Sequence, residues 1–171
     1  EIIFWELKLS KTNDKTMIDI LINQKKEANN LFSKFVEKNY ESVINDSNGP
    51  TFSHNICKRH LFPEIKDQSV VFIVIDNLRY DQWLCIEPTI LEFSKKIKEY
   101  QYFSILPSST QYARNSLFSG LMPKSIKEKY PQYWKDDHEE GGKNLYENEL
   151  LEINLKNNFN YELKSEFIKV T

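Results

Sequence analysis

Asp76 closes the apolar run "SVVFIVID", and Asn77, Arg79 and Asp81 crowd in behind it. Further along, "PSST" (residues 107–110) leads into the helical pattern "TQYARNSLFSGLMP", with Arg114 one turn beyond Thr110. These residue types suit phosphoryl chemistry. A helix start attracts an anion through unpaired N–H groups and the helix dipole. A hydroxyl there becomes a nucleophile once its alkoxide is stabilised, which a divalent metal held on a carboxylate does directly. Asp76 is the candidate carboxylate, Thr110 the candidate nucleophile and second metal contact, and Arg114 and Asn77 candidate substrate contacts. Arg79 and Asp81 read as a local pair bracing the turn. On local sequence alone, an Asp in the place of Asp76 is more often a helix cap or loop acceptor, and hydroxyls such as Ser108, Ser109 and Thr110 before a helix are more often caps than nucleophiles. Ser108 and Ser109 remain rivals of Thr110 for the nucleophile.

The elements that would position these groups follow from periodicity. "DKTMIDILINQKKEANNLFSKFVEKNYESVI" repeats apolar residues at three- and four-residue steps, the mark of a long amphipathic helix from about 14 to 44. Asn13 or Asp14 caps its start, and "NDSNGP" ends it. Ser53 is placed to cap a short second helix that Pro63 closes. "SVVFIVID" is rich in β-branched residues and suits a parallel strand covered on both faces. "PTILEFSKKIKEY" reads as a helix with Pro88 in its first turn, "YQYFSILP" as the next strand and "YELKSEFIKV" as a last one. "GGKNLYENELLEINLKNN" supplies a further helix. Alternating elements of this kind predict an α/β fold with a mostly parallel sheet and flanking helices, preceded by a helical segment. In such sheets ligands bind at the carboxyl ends of the strands, where Asp76 and Thr110 would meet.

Composition narrows the classes. The chain has 171 residues, a net charge of −2 and two cysteines, Cys57 and Cys85. Interspersed charge argues against a nucleic-acid arm, and two thiols do not make a disulfide framework. The absence of a long apolar run and of a leader pattern points to a cytoplasmic, non-membrane protein. The first residue, Glu1, and a strand-like end suggest a piece of a longer chain. His54, His60 and His138 stand alone, and no HxH, CxxC or HExxH spacing offers a self-contained metal site. A receiver domain would need an acidic pair on an earlier strand, and a haloacid-dehalogenase-like phosphatase would need Asp-x-Asp-x-Thr. A dinucleotide-binding domain would need a glycine-rich turn, and four scattered glycines do not make one. Tyr80, Trp83 and Tyr112 are candidates for stacking on a base, with packing as the simpler role.

"VIDNLRYDQW", "ILPSSTQYARNSLFSGLMP" and "EEGGKNLYENELL" together resemble the PglZ-type domain of the alkaline phosphatase superfamily, in particular PorX-like response regulators. "MIDILINQKKEANNLFSKFVEKNY" resembles the helical region that precedes that domain. The resemblance divides the chain into a helical linker, 1–66, and the first part of a PglZ domain, 67–171. It implies an alkaline-phosphatase-like core, a zinc centre of two ions with most ligands outside this chain, and a metal-dependent phosphodiesterase or phosphatase. Asp76 matches the first metal-binding Asp, and Thr110 the nucleophile of a Pro-x-x-Thr segment, with Ser108 where the family commonly has Thr. The implied partners are a phosphodiester substrate (an oligonucleotide or cyclic nucleotide among them), a receiver domain and the remainder of the PglZ domain. The fragment alone would be inactive. A non-catalytic alternative stands beside this: the long helix as a homodimerisation or regulatory-partner module.

Overall fold

The computed structural model describes residues 1–12, 14–161 and 163–170. Seven α-helices are formed among them: α1 (Ile2–Leu9), α2 (Lys15–Asn45), α3 (Phe62–Ile65), α4 (Tyr80–Leu91), α5 (Thr110–Ser119), α6 (Pro123–Lys129) and α7 (Glu147–Asn158). Short 3-10 turns at Ser53–Asn55 and Pro131–Tyr133 and a π-helical turn at Cys57–Leu61 fill the connections. The chain divides into two compact units, the first built from Glu1–Gly49 and Ile73–Tyr100, the second from Pro50–Phe72 and the residues from Gln101 onward.

The expected mostly parallel sheet is not formed. Among the described residues no strand occurs, and the single β-type pairing is an isolated parallel bridge between Phe52 and Phe103. Phe103 N–H donates to Thr51 O (2.8 Å) and Ser53 N–H to Phe103 O (3.1 Å). The middle of "YQYFSILP" thus pairs with "TFS", not with "VVFIVI". Residues 70–75 carry neither helix nor strand, and Val71 and Ile73 are exposed. "YELKSEFIKV" is likewise no strand at its described positions. β-Branched composition favours a backbone shape locally, whereas a ladder needs a partner from elsewhere in the chain.

In the first unit, Asp14 caps α2 by accepting from Met17 N–H (3.1 Å); the other proposed cap, Asn13, lies outside the described residues. Along this 31-residue helix Leu21 is the buried residue, while Ile20, Ile22, Leu31, Phe32 and Phe35 stay exposed. α1 packs on α2 and α4, and Phe4 meets Tyr80 edge to face with ring centroids 6.3 Å apart. The helix expected over residues 88–100 is displaced toward the N-terminus. Gln82 Oε1 accepts from Arg79 N–H (3.0 Å), so the helix starts at Tyr80; Pro88 lies inside it, and it ends at Leu91. A side chain reaching back to an unpaired N–H set this start more strongly than the proline did.

The second unit holds a continuous core. Leu117 and Phe118 of α5, Ile126 of α6, Leu150 and Leu155 of α7, and Cys57 and Phe62 are all buried. α5 packs against α7, α6 and the Ser53 turn. Ser53 does not cap a helix; its buried hydroxyl accepts from Ile105 N–H (3.2 Å), fastening the 105 segment to the core. Pro63 does not close a helix but sits in the first turn of α3, where its missing N–H costs nothing. Gly120 ends α5 in the left-handed region (φ 70°), and a Cβ there would stand 2.8 Å from Asn154 Oδ1. Asn154 instead donates to Phe118 O (2.9 Å), joining α7 to the end of α5.

Cys57 lies in this core with its Sγ 3.3 Å from Leu117 O, and burial pushes its thiol up to about 12. Cys85 is exposed. A thiol reagent at pH 8 should therefore label one cysteine quickly and the second only on unfolding. Raised proton affinity in the folded state makes Cys57 a stabilising term below its unfolded pKa, lost as pH climbs from there toward about 12. Two fast thiols in the native protein would contradict this burial.

Candidate functional site

Asp76, Asn77, Arg79 and Asp81 belong to the first unit, and Thr110 and Arg114 to the second. The common strand-end rim was expected from the sheet, and among the described residues that sheet is not formed.

In the first unit, Asn77 adopts φ 58°, a left-handed conformation that Asn tolerates better than most residues. This gives it a backbone reason to follow Asp76. Arg79 Nε and NH2 donate to the two oxygens of Asp81 at 3.0 and 2.9 Å, a forked pair across the first turn of α4. The hydrogen bond holds the Asp81 carboxyl below and the Arg79 guanidinium above their ordinary ranges. Asp76 and Asn77 line a shallow concavity of about 550 Å³ with Leu78, Asp81, Gln82 and Cys85.

In the second unit, Thr110 is the first residue of α5, and Ser109 is its N-cap residue in extended conformation. Ser108, Ser109 and Thr110 are all exposed. The loop 134–144 is stitched to this helix start. Asn144 Nδ2 donates to Thr110 O (3.3 Å) and Asn115 Oδ1 (3.0 Å), while Asn115 Nδ2 donates to Lys143 O (3.1 Å). Gln111 Nε2 donates to Lys135 O (3.0 Å), and the Tyr112 hydroxyl reaches both Asp137 oxygens at 2.9 and 2.8 Å. That bond, chiefly, raises the Tyr112 hydroxyl above its ordinary range. With its ring also 5.8 Å from Trp134, Tyr112 is a packing residue in this state.

Arg114 NH2 donates to Glu147 Oε2 at 2.6 Å. Glu147 opens α7 and its side chain is 2% exposed, against 22% for Arg114. Sequence reasoning passed over Glu147. Its one local signal was an acid at a helix start, where the dipole favours it; nothing local tied it to Arg114. Asn115 and Asn144 were missed for the same reason.

Zinc does not fit the described residues as a self-contained site. No group of three or more His, Cys, Asp or Glu side chains able to hold a metal ion occurs among them, whereas structural zinc takes four donors and catalytic zinc at least three from protein. His60 Nε2 lies 3.0 Å from the Thr51 hydroxyl, and burial lowers His54, so both have packing environments.

Residues 56–167 match the BREX system PglZ alkaline phosphatase-like domain, and the chain belongs to that family. Residues 1–44, which take in α2 up to residue 44, match the PorX response regulator linker domain. No curated protein matches the chain. No helix among the described residues is long and apolar enough to cross a membrane.

Proposed function

We propose that the chain is the linker and effector portion of a two-component response regulator, and that its PglZ domain hydrolyses phosphodiesters or phosphate monoesters through Thr110. The observation that carries this reading is Thr110 standing exposed as the first residue of α5, within the stretch matching the PglZ domain. The N–H groups of Thr110 and Gln111 have no intrahelical partner and favour an anion. Thr110 Oγ1 would form a bond to phosphorus while the ester O–P bond breaks, the leaving oxygen departing with the electron pair and a proton. Water would then bond to phosphorus as the Thr110 Oγ1–P bond breaks, releasing a phosphate monoester from a diester substrate or inorganic phosphate from a monoester, and restoring the hydroxyl. Zinc and the metal role of Asp76 belong to the proposal only with donors beyond those the described residues bring together. We accordingly expect the 171-residue chain to be inactive by itself and the parent protein to be active. A receiver domain in the parent, a cytoplasmic location and the division at residues 66/67 go with the same reading.

The test is turnover of a chromogenic phosphodiester by the parent protein with zinc supplied. Thr110→Ala should lower kcat by at least roughly 1,000-fold, while Thr110→Ser retains activity and Ser108→Ala and Ser109→Ala change little. Unchanged turnover in the Thr110→Ala variant would remove Thr110 from the chemistry. An inactive parent would favour the second reading, a partner-binding module, for which the exposed Leu31, Phe32 and Phe35 of α2 speak.

A further inference from the structure

We infer that Glu147 is a positioning residue, which holds the Arg114 guanidinium beside the Thr110 helix start as a phosphate-binding group. The inference rests on the reading of Thr110 given above. Positions 110 and 114 are one turn apart and share a face of α5, so an arginine at 114 lies within reach of an anion at the helix start. Flexibility would waste that reach, because a long side chain loses entropy when a ligand fixes it. Glu147 removes that freedom in advance. Its carboxylate is buried and the Arg114 side chain is partly exposed, with Oε2 2.6 Å from NH2.

A guanidinium has its donors in a rigid fork, so a carboxylate bonded at one edge fixes the plane of the whole group. Oxyanions of phosphate are recognised by that plane. A plain staple between α5 and α7 would be made more cheaply from apolar side chains, since burying a carboxylate carries a desolvation cost that a Leu does not. The neighbouring tethers point the same way. Asn144, three residues before Glu147, donates to Thr110 O and Asn115 Oδ1. One short stretch, 144–147, therefore fixes the turn that bears the hydroxyl and the cation that follows it.

The experiment compares wild type, Glu147→Gln, Glu147→Asp, Arg114→Lys and Thr110→Ala in the zinc-supplied parent protein, at a temperature where circular dichroism shows each folded. Initial rates on a chromogenic phosphodiester and inhibition by inorganic phosphate are the readouts. Glu147→Gln should lower kcat/KM roughly 10- to 100-fold, the range for loss of a hydrogen-bonded partner behind a site residue, and weaken phosphate inhibition in parallel. Glu147→Asp should fall between the two. In an Arg114→Lys background the Glu147→Gln change should cost much less, because the two residues act as one unit. A Glu147→Gln enzyme with wild-type kcat/KM and phosphate inhibition, while Thr110→Ala is dead, would overturn the positioning role and leave the Thr110 reading standing. Wild-type turnover in Thr110→Ala would overturn both. If Glu147→Gln does not fold, the Asp variant decides: unchanged kinetics with the anchor withdrawn by one methylene would overturn the inference.

Discussion

Arg114→Ala is expected to destabilise the second unit by about 3–5 kcal/mol, the usual cost of removing one partner of a buried ion pair. The carboxylate left behind sets the size. Glu147 is 2% exposed, so it has little water to fall back on once the 2.6 Å bond from Arg114 is gone. Urea unfolding followed by circular dichroism measures the loss directly. One control identifies its source. Replacing both partners, Arg114→Met with Glu147→Leu, should recover much of it, since that carboxylate is then gone as well. A loss under about 1 kcal/mol for Arg114→Ala would place the pair among surface bridges of little consequence.

Leu150→Ala should cost about 2–5 kcal/mol, the range for deleting a buried leucine side chain with a cavity left in its place. Leu150 is fully buried in α7, the helix that packs on α5. The loss should appear in the same transition as that of Arg114→Ala. Leu145 is exposed just before α7, and Leu145→Ala should stay within about 0.5 kcal/mol. Equal effects at positions 145 and 150 would contradict the packing of α7 described above.

Both experiments probe the contact between α5 and α7, which a reader of the sequence could not have drawn. The ends of the helices were another matter. Asp14 caps α2 and "NDSNGP" ends it; α5 begins at Thr110 and stops at Gly120. Each of these is a local event, a side-chain oxygen meeting a nearby N–H or a glycine taking φ 70°, and the residues concerned are close neighbours in sequence. The long motifs were legible for a related reason: the resemblance to PglZ and PorX-like proteins agrees with the matches over 56–167 and 1–44.

Where a partner had to come from a distance, the sequence was silent or misleading. "SVVFIVID" has the composition of a buried strand, yet residues 70–75 form no ladder, and the hydrogen bonds of Phe103 go to Thr51 and Ser53. Arg114 reads from the sequence as a helix-surface charge or a substrate contact, and nothing in that reading supplies Glu147, which lies on a different helix 2.6 Å away. The sequence by itself determined the limits of α2 and α5, the hydroxyls ahead of α5 and the family. Tertiary structure alone decided which strand-like segments pair and which carboxylate holds Arg114. Caps and turns are set by neighbours along the chain, whereas ladders and buried ion pairs exist only once remote segments have met.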